Sequence, residues 1–411
     1  MGQARKNYSN RTAEWIEQAL SALSDRALYR ELNILDRKGG LFFRNQNQGQ
    51  PSTALKDFSS NDYLGLAENS DVKKAASDAA LAFGGSSSSS RLVTGSFKVH
   101  WQLEQNLSAW LGTESCLVFG SGYHVNTGVI PALVGRNDRI FADQLCHASI
   151  IDGAILSRAQ LKRYSHNDLD QLENLLAKAS AEGSLTGRVL IATESVFSMD
   201  GDSPDLARLV EIAEKYNALL LVDEAHAIGV FGRRGQGLLA DINYNPESTL
   251  ITATLSKALG SFGGLVCCSS KMSELLVNKA RSFIYSTALP PASVAAADAA
   301  LSLVRESVPG ARLLSLSSYL RKSLKDNGWE VGVGESHIVP LIIGASDRAL
   351  EASSFLRENG FLVTAMRAPT VPEHLARLRI SLNLKLNEED CDRFVSVLAS
   401  SGLKPQEVDS R

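Results

Sequence analysis

From about residue 110 onward, short apolar runs rich in β-branched residues alternate with longer amphipathic stretches. The runs fall at 115–119, 139–143, 161–166, 188–195, 218–223, 248–254 and 263–269. Between several of them lie segments such as LDQLENLLAKASAEG and LARLVEIAEKYN. Their apolar residues recur at i, i+3, i+4 and i+7, and each ends at a Gly or Asn stop. Seven strands alternating with helices predict a mainly parallel sheet covered on both faces. In such sheets chemical groups collect beyond the carboxyl ends of the strands.

The flanks read differently. Ile16, Leu20, Leu23 and Ala27 recur at helical spacing and predict an N-terminal helix that includes Arg30. The polar stretch LFFRNQNQGQPSTALKDFSSNDYLGL follows as loop or short strand. Pro290 and Pro291 close the alternating block, and an Ala-rich helix, ASVAAADAALSLVRE, carries the chain onward. The remainder reads as α+β. Its helices lie near LLSLSSYLRKSLKD, DRALEASSFLRENG and EEDCDRFVSVLASS, and its strands at HIVPLIIG, FLVTAM and RLRISL. The expected division is an N-terminal segment over 1–60, a large domain over 61–295 and a small C-terminal domain over 296–411. A chain of 411 residues is long enough for a large core plus a smaller partner.

Composition narrows the class. Hydrophobic residues at 44% and charged residues at 21% describe a soluble globular protein, and a net charge of −3 gives no excess that points to nucleic acid or an acidic membrane. The five cysteines form no C-x-x-C, so no zinc or redox pair is suggested, and their apolar surroundings predict reduced, buried thiols. No apolar run follows the basic N-terminus, and no segment is long enough for a membrane span. A cytoplasmic location is the expectation.

Asp223 ends the apolar run LLLVD, where an unpaired carboxylate is costly to bury. The DEAH that it opens also spells a helicase motif, but the sequence has no Gly-Lys dipeptide and hence no phosphate loop of that kind. Neither G-x-S-x-G nor H-E-x-x-H is present, so hydrolase readings gain no support. Lys257 follows the next strand, in TATLSKALGSFGG. An Asp and a Lys at the ends of two successive strands suit pyridoxal 5′-phosphate (PLP). The carboxylate keeps the pyridine nitrogen protonated, and the amine forms a Schiff base with the aldehyde.

Eight motifs, in order, resemble the α-oxoamine synthases, PLP enzymes of the aminotransferase (fold type I) class. They are FSSNDYLGL, SRLVTG, CHASIIDG, ESVFSMDGD, VDEAHAIGVFGRRGQG, TLSKALGSFGG, IYSTALPP and TAMRAPTVP. The resemblance covers roughly residues 20 to 400. Two departures are a run of serines, GGSSSSSRLVTG, where relatives are glycine-rich, and Ala368 where close relatives tend to have proline.

The resemblance implies roles. Lys257 would carry the cofactor and move the α-proton, Asp223 would meet the pyridine nitrogen, and His226, with Ser198, the phenolic oxygen. His147 would stack on the ring. Ser121, Gly122 and Tyr123, ahead of a helix starting near Val125, would bind the phosphate with Thr254 and Ser256. Ser286 and Thr287 would reach it from the other subunit of a homodimer. Arg379, helped by Asn61, would hold the substrate carboxylate, with Arg377 as a neighbour open to confusion with it. Arg30 and Thr370 would lie near the acyl substrate. The implied reaction is a decarboxylative condensation of an amino acid with an acyl thioester. SRLVTG and TAMRAPTVP are most like the branch joining L-alanine to pimeloyl-CoA or pimeloyl-ACP in biotin biosynthesis. Sister activities using glycine or serine, and a catalytically silent regulatory subunit, are the alternatives.

Overall fold

The computed structural model describes residues 2–32, 34–38, 41–44 and 54–403. Helix α1 (Gly2–Asp25) opens the chain. It stops earlier than its apolar spacing predicts. Ala27 takes a left-handed φ of 52°, and the N–H groups of Leu28 and Tyr29 both turn back to the Leu23 carbonyl at 2.8 and 3.1 Å. Arg30 therefore stands on irregular chain beyond the helix, not within it. No glycine marks this stop. Strands β1 (Leu35–Lys38), β2 (Leu41–Arg44) and β3 (Ala54–Asp57) form an antiparallel ladder. Residues 45–53 of the polar stretch lie outside the described residues.

Helices α2 (Ser70–Phe83) and α3 (Lys98–Leu111) lead into the alternating block. Its elements are β4 (Ser115–Phe119), α4 (Gly122–Leu133), β5 (Arg139–Asp143), α5 (Ala148–Ser157), β6 (Gln160–Tyr164), α6 (Leu169–Ala181), β7 (Val189–Glu194), α7 (Leu206–Lys215), β8 (Leu219–Asp223), β9 (Thr249–Thr254) and β10 (Gly264–Cys268). All seven predicted strands are present, shifted by two residues at most. They form one sheet in the order β4-β10-β9-β8-β7-β5-β6, in which β10 alone runs against its neighbours.

Every residue of β7 and β9 is buried, which explains why their sequences lack polar alternation. Successive residues feed opposite faces: Ile191, Leu220 and Val222 enter one core, and Leu190, Ala192 and Leu221 the other. Helix α7 lays Leu206, Leu209, Val210 and Ala213 on the first core, and the Asp205 side chain caps its N-terminus by accepting from Arg208 N at 3.0 Å.

Helices α8 (Ser270–Lys279), α9 (Arg281–Ile284), α10 (Pro291–Ser307) and α11 (Gly310–Asp326) precede a second, antiparallel sheet. That region comprises β11 (Ile338–Gly344), α12 (Ser346–Glu358), β12 (Phe361–Leu362), β13 (Thr364–Met366), β14 (Ala376–Ser381) and α13 (Glu388–Ser400). The run FLVTAM, predicted as one strand, divides at Val363. Its first half pairs in parallel with β3, and its second half runs antiparallel to β14. Residues 57–63 are stitched to the far end of β14: Ser381 N donates to Phe58 O at 2.7 Å, Asn383 Nδ2 to Asp57 O at 2.8 Å and Leu384 N to Tyr63 O at 2.9 Å.

The serine run is a fixed turn. Ser87 Oγ donates to Leu289 O at 2.6 Å, Ala288 N donates to Ser89 O at 2.9 Å, and Ser90 bridges to Thr287. A second tie joins the ends of β5 and β6 to the loop after β7. His166 lies 3.0 Å from Asp143 Oδ1 and 2.9 Å from Asp202 Oδ2, with its ring edge-on to Phe197. All five cysteines are free and buried. Among the described residues no helix is long and apolar enough to cross a membrane.

Candidate active site

The parallel strands deliver three polar residues to one end of the sheet. Glu194 closes β7, Asp223 closes β8 directly opposite it, and Lys257 follows β9 by three residues. The Asp223 carboxylate accepts from Asn126 Nδ2 at 2.8 Å and from Ala225 N at 3.0 Å. Lys257 Nζ lies 2.7 Å from His226 Nε2, and His226 Nδ1 lies 2.6 Å from the Tyr63 hydroxyl. Burial pushes the Lys257 ammonium down to about 8, against the pull of Asp223 and Glu194. The amine is thus partly free near neutral pH. Burial and the adjacent Lys257 hold His226 well below its usual value, so its ring is neutral. Glu194 is pushed up to about 8 by burial and by the Asp223 charge beside it.

His147 caps α5: its Nδ1 accepts from Ser149 N at 3.2 Å and lies 2.7 Å from Ser149 Oγ. Its own N–H donates to Glu194 Oε1 at 2.6 Å. The ring is accordingly fixed at the open edge of the cluster.

Beyond Lys257 lies the turn from β4 into α4. The helix begins at Gly122 rather than near Val125, because the Ser121 side chain caps it by accepting from His124 N at 3.1 Å. Gly122 and Tyr123 therefore form the first helical turn, whose N–H groups have no intrahelical carbonyl to meet. Thr254 Oγ1 and Ser256 Oγ stand 2.7 Å apart near this turn. Gly264 makes the approach possible. A Cβ there would come within 2.5 Å of the Ser121 carbonyl carbon and 2.6 Å of Gly122 N. The Tyr123 hydroxyl is taken by Asp152 at 2.5 Å.

The opposite side is cationic. Arg379 is 4% exposed, and among the described residues it has no ion pair with an acid. Its Nε donates to Ser198 O at 2.5 Å, and its Nη1 donates to Ser381 Oγ at 2.7 Å and to Asn61 Oδ1 at 3.3 Å. Arg377 shares that strand face but is committed to Asp200. Of the two arginines, Arg379 is the one left for an external carboxylate. A cavity of about 860 Å³ opens beside His147 and Ser198, and Arg30 and Thr370 are on its wall. Thr287 is exposed and bridges to Ser90 within its own chain.

A buried amine, a held carboxylate one strand away and a hydroxyl-flanked helix N-terminus are the three fixtures PLP needs, so the donor set fits that cofactor. The family model of aminotransferase class I and II matches residues 54–398. The chain belongs to this family. Within it the enzyme is an α-oxoamine synthase. It is 44% identical to 8-amino-7-oxononanoate synthase of Anaeromyxobacter dehalogenans, over 94% of this chain and 95% of that one. It is also 44% identical to the Geobacter sulfurreducens protein of the same name, over 93% and 96%. A solved serine palmitoyltransferase variant from S. paucimobilis, with a bound PLP-myriocin aldimine, superposes with a TM-score of 0.87 at 26% identity, covering 95% of this chain and 98% of that one. The 8-amino-7-oxononanoate synthase of Francisella tularensis gives 0.72 at 29% identity, over 84% and 97%. The cofactor of the enzyme is PLP.

Four residues of this α-oxoamine synthase site escape a reading by motif role: Tyr63, Asn126, Ser149 and Glu194. All four are buried, and Asn126, Ser149 and Glu194 are polar within elements that are otherwise largely apolar. That contrast, as in VNTGVI around Asn126, is the signal by which they could be found.

Proposed function

We propose that the enzyme condenses L-alanine with a pimeloyl thioester, carried by CoA or acyl carrier protein, releasing CO2 and the thiol and giving 8-amino-7-oxononanoate. This is a step of biotin biosynthesis, in the cytoplasm. The observation that carries the reading is the partly free Lys257 amine in one hydrogen-bonded group with a buried Arg379 that lacks an acid, beside a cavity of about 860 Å³. The relatives at 44% identity favour this activity over the serine palmitoyltransferase type at 26%.

When bound, PLP supplies an aldehyde for amines and a protonated ring that draws electrons from the substrate α-carbon. Asp223, held by Asn126 and Ala225 N, keeps the proton on the pyridine nitrogen. His226 and Ser198 would serve the phenolic oxygen of PLP, and His147 would pack against its ring. Ser121, Gly122, Tyr123, Thr254 and Ser256 hold the phosphate, joined by Ser286 and Thr287 from the other protomer of a homodimer. Arg379 and Asn61 grip the amino-acid carboxylate. That grip sets the α-hydrogen toward Lys257, whose Nζ removes it and later returns it. Arg30 and Thr370 guide the acyl chain.

The test is turnover of the PLP-loaded protein with L-alanine, glycine or L-serine, each supplied with pimeloyl-CoA or pimeloyl-ACP. CO2 release with L-alanine and one of these donors is expected. In Arg379→Ala, half-saturation by alanine should rise about 100-fold, the loss of a desolvated charge pair being worth several kcal/mol. Turnover with glycine or serine alone overturns the alanine assignment.

A further inference from the structure

One amide joins the cofactor side of the site to its open edge. Asn126 is buried, and its Nδ2 donates to Asp223 Oδ2 at 2.8 Å and to Ser149 Oγ at 2.9 Å. Both hydrogens of the amide are thereby committed. Its Oδ1 is buried with no partner among the described residues, a cost that a merely space-filling residue would not carry. A carboxylate has no hydrogen to give, so Asp223 settles which end of the amide faces it. Ser149 is equally buried, and its Oγ lies 2.7 Å from His147 Nδ1. The Ser149 N–H points to the same nitrogen from 3.2 Å. The His147 ring is on the wall of the cavity of about 860 Å³, and its Nε2 bonds to no described residue.

These contacts are satisfied together in one way. Ser149 Oγ receives a hydrogen from Asn126, and the hydroxyl's own hydrogen has one acceptor in reach among the described residues, His147 Nδ1. The backbone N–H at that nitrogen can only donate. Nδ1 is therefore bare, and the hydrogen of the neutral ring is on Nε2. We propose that Asn126 and Ser149 are positioning residues: through the Ser149 hydroxyl, the amide that holds Asp223 also fixes His147 with its hydrogen on Nε2, so that the ring offers a donor to the cavity. This rests on the placing of His147 against the cofactor given above. None of the contacts involves Lys257 or His226, so loading the cofactor leaves each of them in place. Asp223 Oδ1 accepts from Ala225 N, and the carboxylate retains lone pairs for the pyridine N–H.

The test is nitrogen NMR of the PLP-loaded, full-length enzyme labelled with ¹⁵N at histidine, without substrate. The pH is about 8, above the ordinary histidine value of about 6.5. His147, one of seven histidines, is assigned from the signal lost in His147→Asn, whose side chain can still cap α5. In the wild type, Nδ1 should be free of hydrogen and shifted by an accepted hydrogen bond, with the hydrogen on Nε2. Asn126→Asp keeps the shape but reverses the link. Two adjacent carboxyl groups share a proton, and the new one offers Ser149 an acceptor. The hydroxyl should then turn round and accept from His147, the 3.2 Å contact giving way, so that Nδ1 carries hydrogen in most molecules. In Asn126→Asp combined with Ser149→Ala the link is cut, and Nδ1 should be bare again. Should Asn126→Asp fail to fold, Ser149→Ala alone should remove most of the hydrogen-bond shift of Nδ1, and an unchanged shift overturns the proposal. So does hydrogen on Nδ1 in the wild type, or an Asn126→Asp spectrum like that of the wild type. The same change in the double variant overturns it too, because charge alone would then suffice. No amino acid or thioester is present, so a turnover assay that overturns the alanine assignment leaves this result standing.

Discussion

Replacing His166 with glutamine removes a cation that ties three chain segments together. Burial alone would lower the imidazole, but hydrogen bonds to Asp143 and Asp202 more than reverse this and raise it from 6.5 to about 10. At about 1.4 kcal/mol per tenfold change, that interval is worth on the order of 4–5 kcal/mol of folding stability. The His166 side chain is 20% exposed, so solvent screens this only in part. Asp143 keeps Leu145 N and Asn167 N as donors, each at 2.8 Å, and a glutamine amide can still serve one carboxylate. The net loss in His166→Gln should therefore be about 3 kcal/mol, at the lower end of the cost of breaking a buried pair. The assay is urea unfolding of the PLP-loaded wild type and variant between about pH 6 and pH 10.5. A pKa raised on folding stabilises fully below the unfolded value of 6.5 and ceases to do so as the pH rises through about 10. The gap between the proteins should be largest near pH 6 and close toward pH 10.5. A gap that stays constant across that range, or that is below about 1 kcal/mol at pH 6, refutes the charged clamp.

Two further outcomes follow from the same geometry. With the Lys257 ammonium at about 8, the rate of PLP uptake by cofactor-free protein should rise with pH to a midpoint near 8. Because the Asp223 charge raises the lysine, the midpoint should move lower in Asp223→Asn; a wild-type midpoint near the ordinary lysine value, about 10.4, refutes the burial argument. In Gly264→Ala the new Cβ meets the backbone of Ser121 and Gly122, which cannot swing aside as a side chain can. PLP affinity should fall at least about tenfold, or 1.4 kcal/mol, and unchanged binding by equilibrium dialysis refutes the close approach.

The strands were legible because a sheet buried on both faces leaves no choice but unbroken apolar runs, as in β7 and β9. Asp223 and Lys257 stood out for the same reason, as charges where the runs end. What the sequence hid was contact between distant residues. Asn126 holds Asp223 from 97 positions away, and His166 meets Asp202 across 36. Neither distance leaves a periodic trace. The early end of α1 was hidden too, since a left-handed alanine is a tertiary choice rather than a propensity. FLVTAM was read as one strand because two short strands in separate sheets share a single apolar pattern. The start of α4 shifted by a turn because Ser121, taken for a phosphate donor, also caps the helix.

The stitching of residues 57–63 to β14 sets an order on how the protein can come into being. A ribosome that has released the first 300 residues has delivered Asp223, His226 and Lys257, yet the strand that carries Arg379 and anchors Asn61 has still to emerge. The residues that meet the cofactor are thus synthesised well before Arg379, the charged half of the grip on the amino acid, even though Asn61 precedes them all. A chain cut short before β14 retains its reactive amine but lacks the grip that would direct it.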